Sequence, residues 1–479
     1  MSAKLIAASA ALLVLCGCVG AGSEPTGKML DSADLGLGDT AATVQPSWWT
    51  ALGDPQFDAL VTRALADNPR LEEAMARVRA AQAAADAARG DSLPKVTIDG
   101  EEQWQRFSER FIYPPPYGGG HYWLGSVQGN LSWDLDFWGR QKALIGEARA
   151  GAEAARLDVE AARLAITAAL AEAYVSLDRA YALLDVADRT VDQRTRLVDL
   201  VGRRVKAGLD SRVEQRQAEG LLAEGRVARL QAIAERDMAV HAIAALTGQG
   251  AAAYDTIKRP TLDAGAVLPL PDALPADLLA RRPDVLAARA RVEARLSGRK
   301  AAVAAFYPNV NLLGFAGFQA IGLSHLLSSG AGIYGAGPAI HLPLFDARLK
   351  PNLRAATADV DAAVAGYNGV VLGAVQQVAD RLSAIQSLEH QIKEQTRARD
   401  AAEEAYGLSD RRYSKGLSNY VAVLSVEEQL LGARRQLAVL KAQYAIERIK
   451  LLLAVGGGFQ PEPQPTTTVA APAGPALKE

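Results

Sequence analysis

The body of this protein has no cysteine and few histidines. Both cysteines, Cys16 and Cys18, lie within the first twenty residues, and the five histidines are scattered singly along the chain. A disulfide framework, a zinc site and a Cys/His nucleophile pair each need such residues close together. We therefore predict no metal site and no catalytic residues in the body.

The chain also lacks a surplus of basic residues. It has 52 Lys and Arg against 54 Asp and Glu, a net charge of −2, so nucleic acid is not an expected partner. The glycine triples 118–120 and 456–458 are not followed by the Lys-Ser/Thr pair of a phosphate loop. We expect neither an enzyme nor a bound cofactor. Much of the 49% hydrophobic content is alanine, which favours closely packed helices.

Long apolar runs are absent after the N-terminus. Lys4 precedes a short apolar run at 5–15, which is typical of a secretory signal and too short to span a membrane. Farther along, no stretch of about 18 residues is free of charges and turn formers, so no transmembrane helix is predicted. A crossing of a bilayer would have to use strands.

The sequence Leu15-Cys16-Gly17-Cys18 is similar to a bacterial lipobox, in which a small residue precedes the lipidated cysteine. Residues 1–17 would then be a lipoprotein signal peptide. Cys18 would carry a covalent lipid, palmitate included, at the start of a lipidated N-terminal segment, 18–49. Val19 is typical of lipoproteins passed on to the outer membrane. The alternative is an ordinary signal peptide with chance cysteines.

The chain contains a duplication, although its length alone would suggest three domains. Residues 203–211 align with 411–419 at an offset of 208. The pattern predicts two repeats, 50–264 and 265–458, each with a helix, a β-hairpin, a long helix and a further helix. The hairpins fall at 95–137 and 309–345. The tail, 459–479, is rich in Pro, Thr and Ala and is predicted to be a flexible extension.

The helices of the first repeat are predicted at 55–92, 138–206 and 212–247, and glycines end the last two. The middle helix would be ~100 Å long, about the length of the two flanking helices placed end to end. Such helices predict an elongated coiled tunnel or cylinder. A plain structural coiled coil is the alternative.

Residues 123–137 alternate between apolar or small and polar side chains, which is typical of an outer-membrane strand. Trp123 and Trp133 lie roughly 33 Å apart along such a strand, or ~25 Å at a 40° tilt, which predicts two membrane girdle positions. A hairpin of a soluble β-sandwich is the alternative.

Four strands in a chain cannot close a barrel, and an open sheet edge is not tolerated in lipid. Closure therefore predicts an oligomer. A dimer would supply eight strands and a trimer twelve, and a water-filled duct favours three or more chains because a barrel of about eight strands is filled by side chains.

An Arg-x-x-x-Gly-Leu turn occurs twice, at 204–209 and 412–417, each time after a hairpin and a long helix. This arrangement resembles that of the TolC-like outer membrane efflux proteins. Together with the lipobox, it resembles the NodT-like lipoprotein subgroup. The resemblance implies a mainly α homotrimer with a 12-stranded membrane β-barrel and a periplasmic helical tunnel. The turn tips, Gly208-Leu209 and Gly416-Leu417, would meet a periplasmic membrane fusion (adaptor) protein, which links the duct to an inner-membrane pump of the RND type.

The resemblance also implies a periplasmic gate in which Tyr413 bonds Glu214. A simpler interpretation places Glu214 at a solvated helix start, where an acid favours the helix dipole. The positions of a family carboxylate pair are occupied by Ala422 and Ser425, so an acidic constriction is not expected.

The predicted function is that of a passive exit duct in the outer membrane, which opens when the tip helices untwist. It would pass drugs or other small molecules to the exterior. The alternatives are a duct of a type I protein secretion system and, from a different class, a periplasmic structural coiled-coil lipoprotein.

Overall fold

The computed structural model describes residues 24–31, 35, 44–110, 112, 115–262 and 281–460. Cys18, the predicted signal peptide and residues 461–479 of the tail lie outside these ranges. The helices are α1 Pro55–Asp67, α2 Pro69–Gly90, α3 Arg140–Lys206, α4 Arg212–Leu246, α5 Pro283–Ala304, α6 Leu349–Ser414 and α7 Tyr420–Ala454. The strands are β1 Lys95–Arg106, β2 His121–Asp134, β3 Asn309–Ile321 and β4 Gly332–His341.

The chain forms two compact units, and each combines segments of both predicted repeats. The sheet unit comprises the described residues within Met1–Met29, Met75–Arg156 and Ala287–Gly369. The helical unit comprises the described residues within Leu30–Ala74, Leu157–Leu286 and Val370–Glu479. The predicted order of helix, hairpin, long helix and helix occurs twice along the described chain. The mainly α fold with four strands is therefore confirmed.

The first predicted helix, 55–92, is divided in two at Asn68. Pro69 cannot donate a backbone N–H and disfavours helical geometry in the residue before it, and Asn68 has extended torsions (φ −74°, ψ 120°). The Asn68 side chain forms one hydrogen bond through its nitrogen and another through its oxygen. Nδ2 donates to the Leu246 carbonyl (2.7 Å), and Oδ1 accepts from the Arg70 N–H (2.9 Å).

The long helices α3 and α6 have 67 and 66 residues. α3 falls close to its predicted bounds, 138–206. Neither helix contains a proline that would interrupt the backbone ladder, apart from Pro351 in the first turn of α6. Among the helices that the structure describes, none has the length and apolar character needed to cross a membrane.

The strands form one antiparallel sheet in the order β1-β2-β3-β4. Directly opposite residues point to the same side, so the register defines two faces. The apolar face includes, at its centre, Ile98, Val127, Gly129, Leu131, Ala316, Phe318, Tyr334 and Ala336. The other face of the first hairpin is polar, with Thr97, Asp99, Glu101, Ser126, Gln128 and Asn130. The alternation in the sequence therefore corresponds to two chemically distinct faces.

Candidate gate at the helix tips

Both long helices of the helical unit end in the same turn. At the first, the Leu209 N–H donates to the Arg204 carbonyl (2.9 Å) and the Gly208 N–H to the Val205 carbonyl (3.0 Å). At the second, Leu417 donates to Arg412 (2.8 Å), and Gly416 again occupies the left-handed position. These bonds form the Schellman motif, which needs a positive φ and so favours glycine. The motif is the physical reason for the duplicated Gly-Leu pairs.

The turns leave two leucines in solvent. Leu209 and Leu417 are each 66% exposed in the isolated chain. Val213 and Val421, the next repeat-related pair along the chain, are each 63% exposed. Each tip therefore presents a small apolar patch, and the two patches match because they arise from the duplicated sequence.

The Glu214 side chain forms its hydrogen bonds at the start of its own helix. Ser211 caps α4, and the Glu214 side chain accepts from the Ser211 N–H (2.9 Å) to complete a capping box. The bonds from Ser211 lower the pKa of the Glu214 carboxyl. The simpler interpretation of Glu214 as a helix-start acid thus agrees with its contacts.

The predicted bond between Tyr413 and Glu214 is wrong. The Tyr413 hydroxyl donates to Asp210 Oδ2 at 2.6 Å, and the Tyr413 side chain is fully buried. Asp210 lies in the turn itself, four residues before Glu214, where its side chain can meet the end of α6. The bond between the two tips is therefore made to Asp210, and the role of Tyr413 in a gate stays a prediction.

Arg204 completes this arrangement. Its Nε and Nη2 donate to the two carboxylate oxygens of Asp210 (2.8 and 3.1 Å), and its Nη1 donates to the Tyr413 carbonyl (3.3 Å). The guanidinium carbon lies 4.7 Å from the centre of the Tyr413 ring, within range of a cation–π contact. We call Arg204, Asp210 and Tyr413 the tip latch.

The latch stabilises the charged form of Asp210. The bond from Arg204, aided by that from Tyr413, outweighs burial and lowers the pKa of the Asp210 carboxyl. A carboxyl whose pKa is lowered in the latched state stabilises that state at pH values above the ordinary pKa of the carboxyl. That contribution is lost only as the pH falls through the lowered value. Burial, followed by the Asp210 bond, raises the pKa of the Tyr413 hydroxyl, which therefore stays protonated as a donor.

An apolar cluster supports the latch. Tyr413 packs with Val201 of α3, Ala218 of α4, and Tyr420 and Val423 of α7. The rings of Tyr413 and Tyr420 lie 6.0 Å apart between centres. The cluster thus joins residues of four helices, so separation of α6 from the first tip would break the polar latch and disturb this packing.

The predicted girdle residues lie in the sheet unit. Trp123 and Trp133 are both on the apolar face and are 51% and 38% exposed. Trp123 is paired directly with Trp104 across the β1–β2 ladder, while the indole N–H of Trp133 donates to the Ser92 carbonyl (3.1 Å). Their role at a membrane surface stays a prediction.

Comparison with known proteins identifies the family. The family model described as outer membrane efflux protein matches residues 60–249 and 274–457, well over half of the chain. The chain belongs to the outer membrane efflux protein family. The resemblance inferred from the duplicated turns is confirmed, and the two matched segments follow the two copies.

Named relatives agree with this family. The multidrug resistance outer membrane protein MdtP of Shigella flexneri is 30% identical over 443 residues, covering 88% of each chain. The fusaric acid resistance protein FusA of Burkholderia cepacia is 36% identical over 372 residues, covering 74% of this chain and 69% of FusA.

Solved structures of outer-membrane proteins have the same fold. The outer membrane protein VceC from Vibrio cholerae is 33% identical with a TM-score of 0.81, covering 87% of this chain and all of VceC. The outer-membrane channel OprN is 27% identical with a TM-score of 0.81, covering 92% of this chain and 98% of OprN. The family and these neighbours are channel proteins rather than enzymes.

Proposed function

We propose that this efflux protein is the outer-membrane exit duct of a tripartite efflux system and works as a homotrimer without catalysis of its own. It passes drugs or other small molecules from an inner-membrane pump of the RND type, through a periplasmic adaptor, to the exterior. The supporting observation is the sheet, which has an apolar face, a face that is polar in its first hairpin, and two outer strands.

The outer strands require further copies of the chain. Within the described residues, β1 pairs only with β2 and β4 only with β3. In hydrocarbon each unpaired backbone group costs several kcal/mol. Pairing β4 of one copy with β1 of the next removes both edges, and three copies give twelve strands with room for a water-filled interior.

Single-channel recording in planar bilayers tests the proposed function. Purified protein is expected to produce discrete conductance steps that are small while the tips are latched. If neither the natural protein nor a variant without the latch conducts, the proposal of a duct is rejected. A structural role of the coiled helices is then the favoured function.

The tip latch supplies the closed state in this proposal. Arg204 and Asp210 belong to the first copy of the repeat and Tyr413 to the second, so the latch ties together the ends of the two long helices. Opening by untwisting separates those ends. The latch must then break, which makes Asp210 rather than Glu214 the carboxylate of the proposed gate.

The exposed leucines are proposed as the contact for the adaptor. Cysteines placed at Leu209 or Leu417 are expected to cross-link to the membrane fusion protein in cells, because paired apolar tips can dock on an apolar surface. A cysteine at Met238, which is 61% exposed on α4, is the control and should give no adduct. Equal cross-linking at all three positions, or none at the leucines, argues against tip docking.

Cys18 is proposed as the lipid anchor that holds the N-terminus at the membrane. The natural protein is expected to incorporate radiolabelled palmitate, and Cys18→Ser to incorporate none. Labelling that persists in Cys18→Ser overturns the assignment. Cys16→Ser serves as the control and should be labelled like the natural protein, since position 16 lies within the cleaved signal.

A further inference from the structure

The two hairpins begin their pairing at equivalent positions of the repeat. The first starts with Lys95 opposite Ser132, and the second with Asn309 opposite His341. Lys95 and Asn309 each directly follow a proline that aligns between the two copies. Asn309 is therefore the counterpart of Lys95, and His341 is the counterpart of Ser132.

The two hairpins meet inside the chain, at the β2–β3 ladder. Ser132 of β2 lies opposite Leu313 of β3. Leu313 is the fourth residue after Asn309. Its counterpart in the first hairpin is Asp99, the fourth residue after Lys95. The structure thus shows how the last strand of one hairpin pairs with the first strand of the hairpin that follows it.

A barrel of several copies contains a second junction of this kind, where β4 of one copy meets β1 of the next. We call that junction the seam. Closure of a barrel requires a fixed stagger between its strands, so equivalent strands should pair in the same register at both junctions. We propose that β4 pairs with β1 of the next copy as β2 pairs with β3, which sets His341 opposite Asp99 of the next copy. The inference rests on the proposed oligomeric duct.

The residues next to this pair support the register. Leu131 precedes Ser132, and it lies opposite Gly314, which follows Leu313. At the seam, the counterparts of these two residues are Ile340 and Gly100. A bulky apolar side chain therefore faces a glycine at both junctions, and a slip of the seam by two residues would separate them.

The polar side chains at the seam also match. His341 and Asp99 are both exposed and lie on the same face of the sheet. Asp99 accepts from the Thr97 hydroxyl (3.0 Å) and the Asn130 amide (2.6 Å), both at Oδ2. Among the described residues, no side chain donates to Oδ1. This oxygen can accept an N–H from the His341 ring of the neighbouring copy.

Disulfide formation between copies tests the register. Opposite residues of antiparallel strands have Cα atoms about 4.5–5.5 Å apart, and diagonal neighbours about 7–8 Å. A disulfide needs about 4.4–6.8 Å, so it selects the opposite pair. Within one chain, β2 and β3 separate Asp99 from His341 by three strand spacings, about 14 Å. A disulfide between these positions must therefore join two copies.

The scan combines His341→Cys with Thr97→Cys, Asp99→Cys or Glu101→Cys, since positions 97, 99 and 101 share one face of β1. Isolated outer membranes are oxidised with copper phenanthroline, and covalent dimers and trimers are measured on denaturing gels. The linked fraction should be at least about fivefold larger with Asp99→Cys than with either neighbour. The single-cysteine variants are the control, and they also measure any link through Cys16 or Cys18.

A second scan guards against a folding defect in one variant. Ala339→Cys replaces His341→Cys, and the maximum should move to Glu101→Cys, because the strands are antiparallel. Linking is normalised to the reduced protein in the membrane fraction. A maximum at another position, or equal linking at all three, overturns the register and leaves the duct in place. No linking in either scan overturns the seam itself, and conductance of the same protein then shows separately whether a duct exists.

Discussion

Asp210→Asn is expected to open the channel. The asparagine keeps the shape of the side chain but removes the charge that holds both Arg204 nitrogens and the Tyr413 hydroxyl. Hydrogen bonds to charged groups contribute roughly 1.5–3 kcal/mol each. The loss of one such contribution shifts the open-to-closed ratio by about 10- to 100-fold. The open fraction in single-channel recordings measures this shift.

Two further variants make this prediction specific. Tyr413→Phe removes one hydroxyl and keeps the ring in the apolar cluster, so its effect should have the same direction and be smaller. Glu214→Gln should leave the open fraction close to that of the natural protein, because the bonds of Glu214 in the described part of the chain all lie within its own helix start. If Glu214→Gln opens the channel as strongly as Asp210→Asn, the latch has been assigned to the wrong carboxylate.

Val127→Lys is expected to prevent assembly in the membrane. Val127 lies midway along β2 on the apolar face, opposite Gly100 and Phe318. A lysine on the lipid side at the middle of a bilayer costs about 2–4 kcal/mol, and each copy in the oligomer bears that cost. The amount of folded oligomer in the outer-membrane fraction should fall at least about tenfold.

The neighbouring residue provides the control for this substitution. Ser126 is one position away on β2 and points to the opposite, polar face, where it is paired with Glu101. Ser126→Lys therefore places the same charge beside a carboxylate in the proposed water-filled interior and should assemble normally. Equal loss of assembly in both variants indicates a general folding defect and contradicts the assignment of the faces.

The sequence predicted the backbone of this fold well because strong periodic signals determine it. The alternation at 123–137 defines the two faces of β2, and the glycines at 208 and 416 end the long helices through a backbone geometry that few other residues adopt. The predicted helix 55–92 was less accurate. Pro69 marked the break, but only the structure shows that Asn68 bridges it through the Leu246 carbonyl.

The side-chain partners at the tips were harder to predict. Tyr413 and Asp210 are 203 positions apart. They do not occupy equivalent positions in the two copies of the repeat. Their repeat counterparts are Val205 and Ser418. Each of the two positions thus differs in polarity between the copies. This difference was the available sign in the sequence of a bond between the two copies. Choosing Asp210 over Glu214 still requires the turn geometry, which composition and spacing do not contain.

If several copies of this four-stranded chain form one conducting duct, the number of chains in a conducting unit can be counted. Fluorescently labelled Asp210→Asn protein can be reconstituted at low density, with conductance and photobleaching steps recorded from the same bilayer patch. Each unit that conducts is expected to show three bleaching steps. Conduction by a single chain, or assembled units of three chains that never conduct, would contradict it.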